Sequence, residues 1–278
     1  MTEVFQRYLS LLGIAGFPSG LEGLRTLVRR HLQAVPFENV SKLLLFGREG
    51  APRAATLPEF LDGIEHFDLG GTCYTNNPFL ADLLRSLGYD TDLLGADMGK
   101  PDVHTCIRVR IGSAAYHVDV GFAAPFREPL RLDRLPARMD EGGNHYILDR
   151  DDAAGGLRMS MFSGTEYGFS YLAHDPPRTR EFFQPAIEMS FAPDATFMQS
   201  LRISSVFEGS SLDLIDRDLY RHEAGRTTVT HLASMLELQA AVKDQLQLPR
   251  CPIQSGIAVL ERLTGKPFFQ PGTATGGA

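Results

Sequence analysis

Three side chains able to form a nucleophilic centre are spread along this chain: Cys73, His104 and Asp119. A thiol attacks only after losing its proton, and a free thiol pKa of about 8.5 leaves it largely unionised at neutral pH. Cys73 directly follows Gly70-Gly71-Thr72 and heads an apolar pattern, Phe79, Leu80, Leu83, Leu84 and Leu87, at helical spacing up to Gly88. A helix start supplies unpaired N–H groups and roughly half a positive charge, both favouring the thiolate. Without partners Cys73 would read as a small buried hydrophobe, as most free cysteines do. A histidine beside the thiol and a carboxylate behind that histidine would make it a nucleophile.

Eight histidines are available. His31 on a basic amphipathic helix, His66 in an acidic turn, His145 beside Gly142-Gly143, His174 before a Pro pair, and His222 and His231 at element ends read as solvated or capping residues. His104 and His117 lie instead on adjacent strand-like segments, 103–111 and 116–122, joined by the short turn Gly112-Ser113-Ala114-Ala115. In the first segment Val103, Thr105, Ile107, Val109 and Ile111 form an apolar face, leaving His104 on the other face with Cys106 and Arg108. In the second, Asp119 shares a face with His117. An antiparallel hairpin makes His104 and Asp119 near neighbours, equidistant from the turn to within about a residue or two. His117, two residues from Asp119 on one strand, points alongside it, so His104 is the better base.

The elements needed to position these groups follow. Ser19-Gly20-Leu21-Glu22 has a capping-box pattern, Leu21, Leu24, Leu27, Val28, Leu32 and Val35 make an apolar stripe, and Pro36 ends the helix. Pro78 predicts that the helix after Gly71 either starts later than Cys73 or kinks. From about Asp90 the pattern alternates, as in antiparallel strands of a small barrel or curled sheet. Segments 201–206 and 212–215 read as strands, 230–247 as helix, and the Gly/Thr-rich tail from Pro271 to Ala278 as disordered. With 278 residues, 43% of them hydrophobic, the chain can build a sizeable core. A net charge of −7, with no basic run beyond Arg29-Arg30, argues against a nucleic-acid surface. Three cysteines without a Cys-x-x-Cys pair argue against a disulfide framework or a zinc site. No run approaches the ~18 apolar residues of a membrane span, and no export signal is evident, so a cytoplasmic protein is expected.

Gly70-Gly71-Thr72-Cys73-Tyr74 and Val118-Asp119-Val120-Gly121-Phe122, with His104 between them, resemble the signature blocks of the arylamine N-acetyltransferases. The similarity extends to Val35-Pro36-Phe37-Glu38-Asn39-Val40 and, more weakly, to the segment from Ser190 to Phe197. The resemblance implies an α+β fold: an N-terminal helical bundle, a central antiparallel β-barrel and a C-terminal α/β lid, here assigned to 1–88, 89–193 and 194–278, around a cysteine-protease-like Cys-His-Asp core. It implies ping-pong transfer, in which Cys73 takes an acetyl group from acetyl-CoA and passes it to an aromatic amine, hydrazine or N-hydroxyarylamine, with no metal. His104 would move the proton and Asp119 would orient the imidazolium. Phe37 and Phe122 would line the acceptor pocket; Val103, Gly121, Ala123 and Phe197 would border the cofactor. A homo-oligomer is left open.

Departures from the family pattern keep other readings in view. The family usually carries Arg at the position of Leu69, Glu at that of Thr75 and Gly at that of Ala123. Glu38 then lacks its usual partner, so a compensating arrangement is expected rather than an unpaired buried charge. A relative using another acyl donor or acceptor, such as an amide synthase or hydrolase, is the alternative, and a non-catalytic ligand-binding relative the third reading.

Overall fold

The computed structural model describes residues 2–122 and 126–269; Ala123 and the tail from Pro271 lie outside the described residues. Five helices open the chain: α1 (Glu3–Leu11), α2 (Gly20–Ala34), α3 (Val40–Glu49), α4 (Leu57–Phe67) and α5 (Cys73–Ser86), with a two-residue strand β1 (Phe37–Glu38) between α2 and α3. The expected stripe of α2 is buried: Leu24, Leu27, Val28 and Leu32 pack with Tyr8 of α1, Phe60 of α4 and Leu80 of α5. Two expectations here fail. Ser19 caps α2 by position, but its side chain makes no capping hydrogen bond. The capping box lies on α4 instead, where Thr56 and Glu59 hydrogen-bond reciprocally. His31 is not solvated: it is fully buried in the α2 stripe, its Nδ1 2.9 Å from the Tyr8 hydroxyl.

The middle of the chain is all strand: β2 (Asp90–Asp97), β3 (His104–Ile111), β4 (Ala114–Val118), β5 (Leu130–Arg131), β6 (Ala137–Glu141), β7 (Asn144–Asp151), β8 (Gly156–Ser163) and β9 (Glu166–Pro177). They form one antiparallel, barrel-like sheet in the order β5-β4-β3-β2-β9-β8-β7-β6. β3 shows why alternation matters. Ile107 and Val109 face the helical bundle, whereas Cys106 faces the sheet's own core with Leu94, Phe126 and Tyr171.

The remainder holds α6 (Gln184–Met189), α7 (Thr196–Gln199), four strands β10 (Arg202–Phe207), β11 (Ser210–Ile215), β12 (Asp218–Glu223) and β13 (Arg226–His231), then α8 (Met235–Ala240), a π-helical turn Ala241–Gln245 and α9 (Ile253–Thr264). The helical expectation for 230–247 is corrected at its start. β13 runs through His231, and α8 begins only after Ser234, whose hydroxyl caps Glu237 N. All six β13 residues are exposed, so no burial pattern marks that strand in the sequence. The second sheet has the order β1-β10-β11-β12-β13, so the strand between α2 and α3 is an edge of the C-terminal sheet. The apolar core follows suit: Val40, Leu43 and Leu69 share one cluster with Leu201, Ile203, Ile257 and Leu260.

Candidate active site

The nucleophile candidate sits where the glycine pair delivers it. α5 begins at Cys73 itself, with Pro78 accommodated inside the helix, which removes the alternative of a later start. The Thr72 side chain makes no capping bond, and the first amides of a helix have no acceptor within it. Close packing fixes this start: a Cβ on Gly70 would meet the Pro36 carbonyl oxygen at 2.1 Å. The Thr105 hydroxyl donates to the Cys73 carbonyl at 2.7 Å, tying α5 to β3.

His104 opens β3 and Asp119 follows β4. The turn is tighter than the spacing suggests, since β4 already starts at Ala114 after Gly112-Ser113, with Gly112 at φ 60°. The ladder runs from Ile111↔Ala114 to Ile107↔Val118 and leaves Asp119 just beyond it. His104 Nε2 lies 2.8 Å from Asp119 Oδ2, with both residues buried. The Cys73 Sγ is 3.9 Å from the carbonyl of Val103, the residue before His104, and Cys73 bears electrostatically on the same ring. With Nε2 committed to Asp119, Nδ1 is the nitrogen left for the thiol.

Burial works against charge on His104, but the Asp119 carboxylate and the Cys73 thiol outweigh it and push the imidazole pKa up to about 10. Burial alone would raise Asp119. The His104 ring, with His117 and the Asn77 amide, reverses that and holds the carboxyl below its usual range. A buried thiol facing a charged imidazole is the electrostatic condition for a reactive thiolate.

Asn77 is the residue the sequence reading missed. One helical turn after Cys73, it donates to Asp119 Oδ1 at 2.9 Å and to the Thr105 carbonyl at 2.5 Å, and its Oδ1 accepts from Val120 N at 2.9 Å. The i, i+4 spacing from a candidate nucleophile was the available signal. Gly121 is the counterpart: its amide donates to Asp119 Oδ1, and a Cβ there would meet Asn77 Nδ2 at 2.4 Å and Cys73 Cα at 2.7 Å. Glycine is needed at 121 for this close approach.

The aromatic residues divide into two groups. Phe122 lies edge-on to His104, ring centroids 5.6 Å apart, and also packs on Phe169, which the sequence did not single out. Phe37 and Phe197 form an edge-to-face pair at 5.7 Å, and Phe37 bridges Gly71 two residues before the thiol. Leu69 joins the apolar core, and buried Glu38 accepts from Gly70 N at 3.1 Å and Ser41 N at 2.8 Å. Thr75 turns its hydroxyl to the Thr72 carbonyl at 3.0 Å.

A buried imidazole–carboxylate pair beside a helix-initiating thiol, between a helical bundle and a curled antiparallel sheet, is an arrangement suited to chemistry through a cysteine thiol. Residues 20–250 match the N-acetyltransferase family, and the chain belongs to that family, the arylamine N-acetyltransferases. It is 28% identical to an arylamine N-acetyltransferase of Mycobacterium tuberculosis over 246 residues, 81% of either chain. A pineal gland isozyme of Gallus gallus is 34% identical over 122 residues, 40% of either chain. Among solved structures, the arylamine N-acetyltransferase of Mycobacterium abscessus has a TM-score of 0.78 at 22% identity, covering 94% of this chain and 95% of its own. The Mycobacterium marinum enzyme in complex with CoA also scores 0.78 at 22% identity, covering 93% and 99%.

Proposed function

We propose that this enzyme transfers an acetyl group from acetyl-CoA to an aromatic amine, hydrazine or N-hydroxyarylamine in two half-reactions through Cys73. The observation that carries the reading is the thiol–imidazole–carboxylate line Cys73–His104–Asp119, with its 2.8 Å buried ion pair. His104 takes the thiol proton at Nδ1, and Asp119 holds the imidazolium at Nε2. The Cys73 thiolate attacks the thioester carbonyl, a new C–S bond forms as the bond to the CoA sulfur breaks, and His104 gives its Nδ1 proton to the leaving CoA sulfur, so that the ring is neutral for the second half-reaction. The free amides at the start of α5 face developing negative charge near the thiol. In the second half-reaction the amine attacks acetyl-Cys73, His104 accepts the amine proton, and the thiolate is regenerated. Phe122 beside His104 offers a flat acceptor ring an aromatic surface, and the Phe37–Phe197 pair borders the nucleophile on the Gly71 side.

Leu69 and Thr75 are absorbed into local packing and hydrogen bonding, while Ala123, the third departure, lies outside the described residues. All three cysteines are free, as a catalytic thiol requires, which supports work in the reducing cytoplasm. No described helix is long and apolar enough to cross a membrane. Initial rates measured over a grid of acetyl-CoA and arylamine concentrations test the mechanism. Parallel double-reciprocal lines are expected; intersecting lines would mean direct transfer without acetyl-Cys73.

A further inference from the structure

Beside the Gly71 step, α3, the start of α5 and the end of α6 enclose a cavity of about 30 Å³, lined by Lys42, Arg53, Gly71, Thr75, Ser190 and Phe191 among others. A water-sized group needs about 10–15 Å³, so the space suits two or three heavy atoms and excludes an aromatic ring. Cys73 does not line it: its Sγ is 3.9 Å from the Val103 carbonyl.

Lys42 reaches this cavity from the first turn of α3. Its Nζ donates to the Ser190 carbonyl at 2.7 Å and to the Ser190 hydroxyl at 2.6 Å, and it stands 4.0 Å over the Phe191 ring. All of these contacts are to neutral groups. An ammonium carries three donors, so one N–H is left over. The charged neighbours are already matched. Arg53 holds Glu49 and Glu59, each at 2.7 Å, and Glu38, four residues before Lys42, accepts from Gly70 N and Ser41 N. The undescribed residues contain no Asp or Glu that could supply a partner. Burial pulls the Lys42 pKa down from 10.5 to about 8, which leaves the ammonium form dominant at neutral pH.

We propose that this cavity is a binding site for one small carboxylate, of the size of formate, paired with the Lys42 ammonium. A largely buried charge held only by neutral groups is costly, and an anion that accepts the spare N–H recovers part of that cost. The sign of the guest follows from the lining: the Ser190 oxygens and the Phe191 face keep the lysine charged, and Arg53 on the same cavity repels a second cation. Its size follows from the volume, since a CO₂⁻ group has three heavy atoms. An occupied site ties α3 and Ser190, which follows α6, to the first turn of α5, so the ligand acts on stability. The proposal goes beyond acyl transfer and holds whether or not Cys73 carries an acetyl group.

Thermal unfolding of the full chain in sodium formate, against sodium chloride at equal ionic strength, is the test. In formate the Tm is expected to rise saturably, by about 3 °C over chloride at ten times the Kd. Lys42→Met is expected to lose this response. Thr75→Glu, which supplies a carboxylate from the cavity wall, is expected to lose it too. A response no larger in formate than in chloride, or one retained in either variant, would overturn the proposal. Should the variants fail to fold, wild-type crystals soaked in formate decide. A carboxylate within hydrogen-bond distance of Lys42 Nζ supports the site, and a cavity holding only water at saturating formate overturns it.

Discussion

At the residue scale, the proposed reactivity rests on donors that converge on one carboxylate, Asp119. Asn77 is informative because it holds both sides of the site, Asp119 through its amide N–H and Val120 N through its carbonyl oxygen. Loss of a hydrogen bond to a charged group costs about 1.5–3 kcal/mol. Asn77→Ala is therefore expected to lower kcat/KM for acetyl transfer by roughly 10- to 100-fold, and unchanged kinetics would remove Asn77 from the machinery. Gly121→Ala puts a methyl group into Asn77 and the Cys73 backbone, and overpacking of this kind costs about 1–3 kcal/mol. A lowered Tm together with slowed Cys73 alkylation is the expected result. The meeting of His104 with Asp119 was legible in the sequence because residue type and strand alternation narrow the choice. The contacts of Asn77 were not, because they depend on a helix-to-strand approach that no local pattern encodes.

At the element scale, α2 shows how burial overrides appearance. His31 stands among Arg29, Arg30 and Gln33, which suggests a wet face, yet it falls in the stripe with Leu24, Leu27 and Val28 and bonds Tyr8 of α1. Burial lowers its pKa from 6.5 to about 3, so between those values the unfolded chain binds a proton that the folded chain refuses. Stability then rises with pH through this window, by about 1.4 kcal/mol per pH unit for one such group. His117 adds a share of the same sign. His104, whose folded pKa is raised, has the opposite sign: its contribution is full below about pH 6.5 and is lost as pH climbs through about 10. His31→Gln, which keeps a polar partner for Tyr8, is expected to flatten the decline in stability between about pH 6 and 4.5 by one proton's share. Urea melts across that range measure it, and an unchanged slope would contradict the buried neutral assignment. The helix, hairpin and curled sheet were readable from periodicity, whereas β13, exposed along its whole length, carried no such signal.

At the scale of the whole molecule, the C-terminal sheet is part of the support for the site rather than an appendage. β1 pairs with β10, Glu38 N donates to the Gly71 carbonyl at 3.0 Å, and α3 shares its core with Leu201, Ile203, Ile257 and Leu260. The Gly70-Gly71 step that delivers Cys73 is thus braced by residues more than a hundred positions later. Ending the chain at Pro193 would expose Val40, Leu43 and Leu69, at about 1.5–3 kcal/mol per large side chain, against a typical total stability of about 5–15 kcal/mol. Such a truncated protein is expected to show no cooperative thermal unfolding by circular dichroism. A retained transition with wild-type alkylation of Cys73 would show that the first 193 residues suffice. This coupling was hidden in the sequence, since a two-residue strand between helices has no pattern to read.

Intact-mass measurement of the wild-type enzyme and of Cys73→Ser after mixing with acetyl-CoA, followed by addition of an arylamine, tests the central claim most directly. One acetyl group on the wild type alone, discharged on adding the amine, is the predicted result. Amine acetylation by Cys73→Ser at the wild-type rate, or an acetyl group on the wild type that the amine does not remove, would contradict it.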